Sequence, residues 1–234
     1  MNTDISGLLL LDKPQGITSF KAIQIIKSAI KVKKICHCGA LDPRATGLLI
    51  SLVGCAVKSQ SLFMKKDKVY RAVIQLGIST DTFDLDGKIT AQKDAAWVQI
   101  GGIENVLKNF RGEIEQTPPM FSALKSGGEK LYTLARKGIV IDRAPRKITI
   151  KKLEILSYKN CLLDLLIECS SGTYIRSMAN DIGDALKCGG TLYSLRRLQI
   201  GEFSVEEALK EADFRNQQKI MSAILQLPLQ TKIF

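Results

Sequence analysis

The stretch "CHCGALDPRATG", residues 36–47, carries the single histidine of the chain, His37, between Cys36 and Cys38. Asp42 follows, set directly in front of Pro43. Three readings compete: a metal site, a redox site, or a loop that presents one carboxylate. A structural zinc needs about four well-spaced ligands, and adjacent side chains of a C-H-C triplet point apart. The other cysteines, Cys55, Cys161, Cys169 and Cys188, form no C-x-x-C pair. The expectation is no metal and buried free thiols, above all at Cys55, Cys161 and Cys169, which sit in apolar runs. The carboxylate remains, and Asp42 fits two roles. It reads as a helix N-cap with proline at the first helical position. Spacing alone favours the cap, but Asp42 also reads as a functional group on a stiffened loop, with Gly39, Ala40 and Gly47 small enough to admit a substrate. One residue can serve both.

Working outward, "GLLLLDKPQG" (7–16) predicts a buried strand stopped by Pro14 and Gly16. "TSFKAIQIIKSAI" (18–30) predicts a helix with an apolar stripe at Phe20, Ile23, Ile26 and Ile30, capped by Thr18 or Ser19. "TGLLISLVGCAVK" (46–58) continues as a buried segment, and "VYRAVIQLG" (69–77) reads as a strand. "STDTFDLDGKIT" is a turn-rich link, and "GGIENVLKNF" is a short helix. "ITIKKLEIL" and "LLDLLIECS" predict a hairpin around "SYKN". "TYIRSMANDIGDALK" predicts an amphipathic helix ended by Gly189 and Gly190. "LYSLRRLQIGEF" reads as a last strand, and Ser204 with Glu207 as the capping box of a short final helix. Helices and strands in mixed order, with hairpins, give the α+β class.

The 234 residues suffice for one sizeable core, and 45% apolar with 24% charged residues is ordinary for a globular protein. No apolar run reaches the roughly 18 residues of a membrane span, and "GLLLL" is too short for a signal segment. The chain reads as cytoplasmic. A net charge of +11 is large for this size and favours a polyanionic partner, nucleic acid first. The excess is focused: residues 124–152 hold nine Lys/Arg against two Asp/Glu. That segment, with its prolines and glycine pair, breaks the periodic pattern and reads as an inserted arm.

Phosphate-cradling glycine motifs are missing from the sequence, so a cofactor-free reaction run by a carboxylate is the better starting point. Around Asp42 the other candidates each keep a structural alternative. His37 is either a surface or core residue or a working imidazole, and Tyr70 either a packed aromatic or a site residue. Arg176 is either a solvated helix charge or the cation that keeps a carboxylate ionised and aimed. Tyr174, two residues earlier, points to a different side of a helix but to the same side of a strand.

Five segments, "GLLLLDKPQGITS", "HCGALDPRATGLL", "KVYRAVIQLGISTDTFDLDG", "PPMFSALKSGGEKLYTLARKG" and "SSGTYIRSMANDIGDAL" followed by "LRRL", resemble in order the TruB-type tRNA pseudouridine synthases. The resemblance covers about residues 7–203. It implies conversion of uridine 55 in the tRNA T-loop to pseudouridine, with no metal and no cofactor. It implies one catalytic domain over residues 1–234, with a mixed, largely antiparallel sheet flanked by helices. An RNA-clasping arm would be inserted at about 118–147, and no C-terminal PUA-type domain is expected. By the same resemblance Asp42 is the catalytic aspartate, Tyr70 the tyrosine that stacks on the target base, and Arg176 the partner of the aspartate. Tyr174 and Leu195 fall on substrate-binding positions, Leu195 lining the uracil pocket. His37 falls on the histidine that fills the space left by the flipped base. Where the family usually has glycine and threonine around that histidine, this chain has Cys36 and Cys38.

The chemistry asks for these types. Pseudouridylation breaks an N-glycosidic bond, turns the uracil and rejoins it through carbon, which needs a carboxylate at the sugar or base. A buried uridine must first be flipped out and held by stacking. The implied partner is the T-arm of tRNA, with no membrane, no obligate protein partner and a monomeric enzyme. Two alternatives share the same features: a tRNA-binding folding helper, and a related synthase acting on another RNA.

Overall fold

Leu8–Leu11 form an unbroken apolar run, and in the computed structural model, which describes residues 5–122 and 124–227, they lie fully inside a strand. In chain order the elements are β1 (Gly7–Lys13), α1 (Ser19–Ile30), β2 (Ile35–His37), β3 (Thr46–Val53), α2 (Gln60–Met64), β4 (Lys68–Leu76), β5 (Ile78–Thr80), β6 (Ile89–Gln92) and α3 (Ile100–Lys108). β7 (Gly112–Gln116), β8 (Lys125–Ser126), β9 (Glu129–Lys130), α4 (Leu131–Arg136), β10 (Arg146–Lys159) and β11 (Leu162–Cys169) follow. The chain closes with α5 (Ile175–Ala185), β12 (Gly190–Ile200), β13 (Phe203–Ser204) and α6 (Gln217–Ser222). Two compact units result: residues 1–70 with 195–234, and residues 71–194. This is the α+β class read from the sequence.

In the first unit β3 pairs antiparallel with β1 and β2, and parallel with β12 through Thr46 and Gly47. Its alternation explains its largely apolar sequence. Leu48, Ile50 and Leu52 face one core, with Leu8, Leu10 and Phe63. Leu49 and Val53 face another, with Leu9, Leu11 and the inner stripe of α1. Burying each such side chain stabilises by about 1.5–3 kcal/mol. The Thr18 hydroxyl caps α1 by accepting from the Lys21 N–H at 3.0 Å. The buried stripe, however, is Ala22, Ile23, Ile26 and Ile30, and Phe20 is 64% exposed. At about 100° per residue Phe20 lies roughly 120° around the axis from Ile26, off the inner face.

In the second unit the order β4-β11-β10-β7 begins with the residues of β4 from Arg71 onward. Arg71 grips Asp164 of β11 with two guanidinium nitrogens, at 3.1 and 2.7 Å. The β10–β11 ladder runs to the pair Lys159–Leu162, so the turn is Asn160-Cys161 and not the expected "SYKN". Both turn residues have positive φ, 52° and 60°, the twist that suits a two-residue hairpin. The turn half-exposes Cys161, and Cys55 is exposed, so burial of free thiols holds for Cys169 but not for these two. The final capping box is also absent. Ser204 accepts from Glu206 and caps only a single 3-10 turn, while the short helix α6 is capped by Asn216.

Candidate active site

The Asp42 loop is held by its backbone. Lys13, at the end of β1, is 0% exposed and donates from Nζ to the carbonyls of Pro14 (2.8 Å), Ile17 (2.7 Å) and Pro43 (3.3 Å). The Gly16 N–H reaches the same Pro43 carbonyl at 2.9 Å. The Ser19 hydroxyl donates to the Leu41 carbonyl at 3.1 Å and accepts from the Leu41 N–H at 2.8 Å. From the other side the buried Arg197 donates from Nε to the Leu48 carbonyl (2.7 Å) and from Nη2 to that of Gly39 (3.0 Å). In each of these contacts the loop contributes a main-chain atom.

Asp42 itself opens a four-residue turn closed by the Ala45 N–H on its carbonyl at 3.1 Å. The helix that it was expected to cap does not form. Asp-Pro starts a turn as readily as a helix, and Thr46 onward is drawn into pairing with β1 and β12. Gly47 makes that pairing possible. At its φ of +101° an added Cβ would lie 2.2 Å from the Arg197 carbonyl oxygen.

Charge is concentrated around this half-buried carboxylate. Burial pushes the Lys13 ammonium down to about 8, with the Asp42 charge opposing that shift and the Arg197 charge adding to it. His37, half-buried at the end of β2, has its pKa lowered by burial and then by Arg197. The Cys38 thiol is fully buried and pushed up to about 12, chiefly by burial, and burial also raises Cys36. Neither is a thiolate at neutral pH. Tyr70 is buried on β4, and Leu195 is half-buried on β12. Beside Leu195, Arg196 clasps Asp12 with both terminal nitrogens at 3.0 and 2.8 Å.

Tyr174 and Arg176 belong to the second unit, at the start of α5. Arg176 is not a solvated helix charge. It is buried, donates to the carbonyls of Phe121 (2.7 Å) and Thr82 (3.1 Å), and lies 3.7 Å from the Asp84 carboxylate. Asp84 is in turn oriented by the Thr82 hydroxyl at 2.6 Å and the Asp86 N–H at 3.1 Å. Tyr174 is set by Gln116, whose amide accepts from its N–H (2.8 Å) and donates to its carbonyl (3.0 Å). The arm, in which Ala123 lies outside the described residues, contains the β8–β9 hairpin and α4. Lys130 and Arg136 both lie over the Tyr132 ring, at 5.5 and 5.6 Å.

The reading of the sequence missed Lys13, Arg197 and Asp84. Nothing local in the sequence marks the first two as interior cations. Asp84 was hidden in a segment whose Thr, Asp and Gly content signals nothing more than turns. Among the described residues no helix is long and apolar enough to cross a membrane.

Comparison with known proteins gives the same frame. A profile described as TruB family pseudouridylate synthase (N terminal domain) matches residues 27–175, and one described as tRNA pseudouridylate synthase B C-terminal domain matches residues 176–227. The tRNA pseudouridine synthase B of Endomicrobium trichonymphae is 51% identical over 96% of this chain and 97% of its own length. That of Clostridium tetani (strain Massachusetts / E88) is 42% identical over 94% of this chain and 76% of its own. A solved Cbf5-Nop10-Gar1 complex contains a chain that matches 94% of this one with a TM-score of 0.71 at 26% identity, and this chain spans 60% of it. On the strength of these matches the chain belongs to the TruB family of pseudouridylate synthases.

Proposed function

We propose that this protein converts uridine 55 in the T-loop of tRNA to pseudouridine, with Asp42 acting at the glycosidic bond of the flipped nucleotide. The observation that carries the reading is the fixed turn that presents Asp42, held through main-chain atoms by Lys13, Ser19 and Arg197. Isomerisation of a base on its own sugar needs one accurately placed carboxylate, and preorganisation of this kind is how a loop supplies it. Tyr70 stacks on the uracil, Leu195 and Tyr174 line its pocket, and Arg176 supplies the positive charge of the reaction centre. His37 occupies the space that the base vacates. No step in this scheme calls for a cofactor, and the enzyme acts as a cytoplasmic monomer on the T-arm.

The basic arm grips the RNA backbone, and Lys130, Arg136 and Tyr132 combine charge with an aromatic face suited to it. The test is incubation with unmodified tRNA, followed by mapping of pseudouridine. Wild type should modify position 55, and Asp42→Asn should fall below detection while still binding tRNA. Modification by the asparagine variant would overturn the role of Asp42.

A further inference from the structure

His37 lies directly across from Ser51 in the antiparallel pairing of β2 with β3. Side chains at such facing positions share one face, with Cβ atoms about 4.5–5.5 Å apart. Packing identifies which face. Cys36 and Cys38 pack with Leu48, Ile50 and Leu52. Ile35 packs with Leu49 and Val53, so His37 and Ser51 project to that second side. Ser51 is fully buried, and its hydroxyl has no hydrogen-bond partner among the described residues. The same holds for the buried Nδ1 of His37. Two orphaned polar atoms on neighbouring positions are each unfavourable alone and satisfy one another when joined, directly or through one water. The backbone at this point is already fixed, because Gln60 Nε2 donates to the His37 carbonyl at 2.8 Å.

We propose that Ser51 is a positioning residue for His37: the two groups are not bonded to each other in this structure, and rotation of these facing side chains lets the hydroxyl donate to Nδ1, fixing the imidazole as the Nε2–H tautomer. The ring is then held in one plane with its N–H facing the RNA. This rests on the reading of His37 as the residue that fills the place of the flipped base. Burial and the Arg197 charge keep the imidazole neutral, which leaves a single N–H to be assigned to one nitrogen or the other.

The chain has one histidine, so imidazole signals in the 15N-labelled protein need no assignment. In the wild type, long-range 1H–15N correlations should show an unprotonated Nδ1 and a protonated Nε2. In Ser51→Ala the two tautomers should mix, and KM for tRNA should rise about five-fold with kcat within about two-fold. A protonated Nδ1 in the wild type, or His37 signals unchanged in folded Ser51→Ala, overturns the hydrogen bond. Mixed tautomers with an unchanged KM overturn the positioning role. A His37→Ala variant with wild-type KM would instead remove the reading of His37 itself, and the NMR result would stand apart from it.

Discussion

Replacing Lys13 by methionine separates two opposing contributions of one buried side chain. Its ammonium satisfies three carbonyls, two at 2.7–2.8 Å and one at 3.3 Å. Orphaning them costs about 1–3 kcal/mol each, about 5 kcal/mol together if the long bond is weak. Against this, holding a charge where burial lowers the pKa from 10.5 to about 8 is itself unfavourable. That difference corresponds to about 3 kcal/mol, which methionine recovers at pH 7. The net loss at pH 7 should be about 2 kcal/mol in urea unfolding. The sign with pH follows from linkage. Between pH 8 and 10.5 the unfolded lysine holds a proton that the folded one has released, so wild-type stability gains as pH rises. At pH 9.5 that gain is about 2 kcal/mol, and Lys13→Met lacks it. The gap between the two proteins should therefore widen from about 2 to about 4 kcal/mol between pH 7 and 9.5. A gap that stays constant or narrows would refute the argument.

Arg176→Met should destabilise by about 3–5 kcal/mol in denaturant titration, because it strands the Asp84 charge and two carbonyls. Arg176→Lys should recover only part of this, since an ammonium cannot span both carbonyls. Alanine at Lys130 and Arg136 should each lower the slope of log affinity for tRNA against log salt by about 0.7–0.9, measured by filter binding. A slope unchanged in the double variant removes the arm from the interface. In alkylation of the native protein at pH 8, peptide mapping should find exposed Cys55 labelled and Cys38 untouched. With its pKa near 12, about one Cys38 in 10,000 is thiolate at that pH. Labelling of Cys38 at the rate of Cys55 would contradict its place in the core.

The regular parts of the fold were legible because one face or both faces of each element are apolar at a clear period. β1, α1, β4 and α3 lie where the pattern puts them. Asp42 was legible as a residue of interest, but its local structure was not. Asp-Pro begins a helix and a turn alike, and the decision comes from pairing of Thr46 and Gly47 with Arg196 and Arg197, some 150 residues later in the chain. Lys13 and Arg197 are two of 34 cations, and nothing local distinguishes a cation destined for the interior from one on the surface. Arg176 was placed by motif, yet its burial depends on Thr82, Asp84 and Phe121, contacts made through tertiary structure alone.

The anchoring of the Asp42 loop through carbonyls and amide groups has a consequence for how the sequence can drift. A carbonyl is the same atom in every residue, so Arg197 and Lys13 exert their hold whatever side chains the loop carries. Selection on loop geometry is then relaxed at positions whose side chains reach solvent, such as Ala40 and Arg44. It falls instead on the two distant cations and on Gly47, where a single methyl group would meet the Arg197 backbone. A saturation library over residues 36–47 should accordingly tolerate changes at the exposed Ala40 and the half-exposed Arg44, but not at Asp42, Gly47, His37 or the buried Cys38, Leu41 and Ala45, while substitutions at Lys13 and Arg197 should be purged as strictly as changes in the catalytic carboxylate.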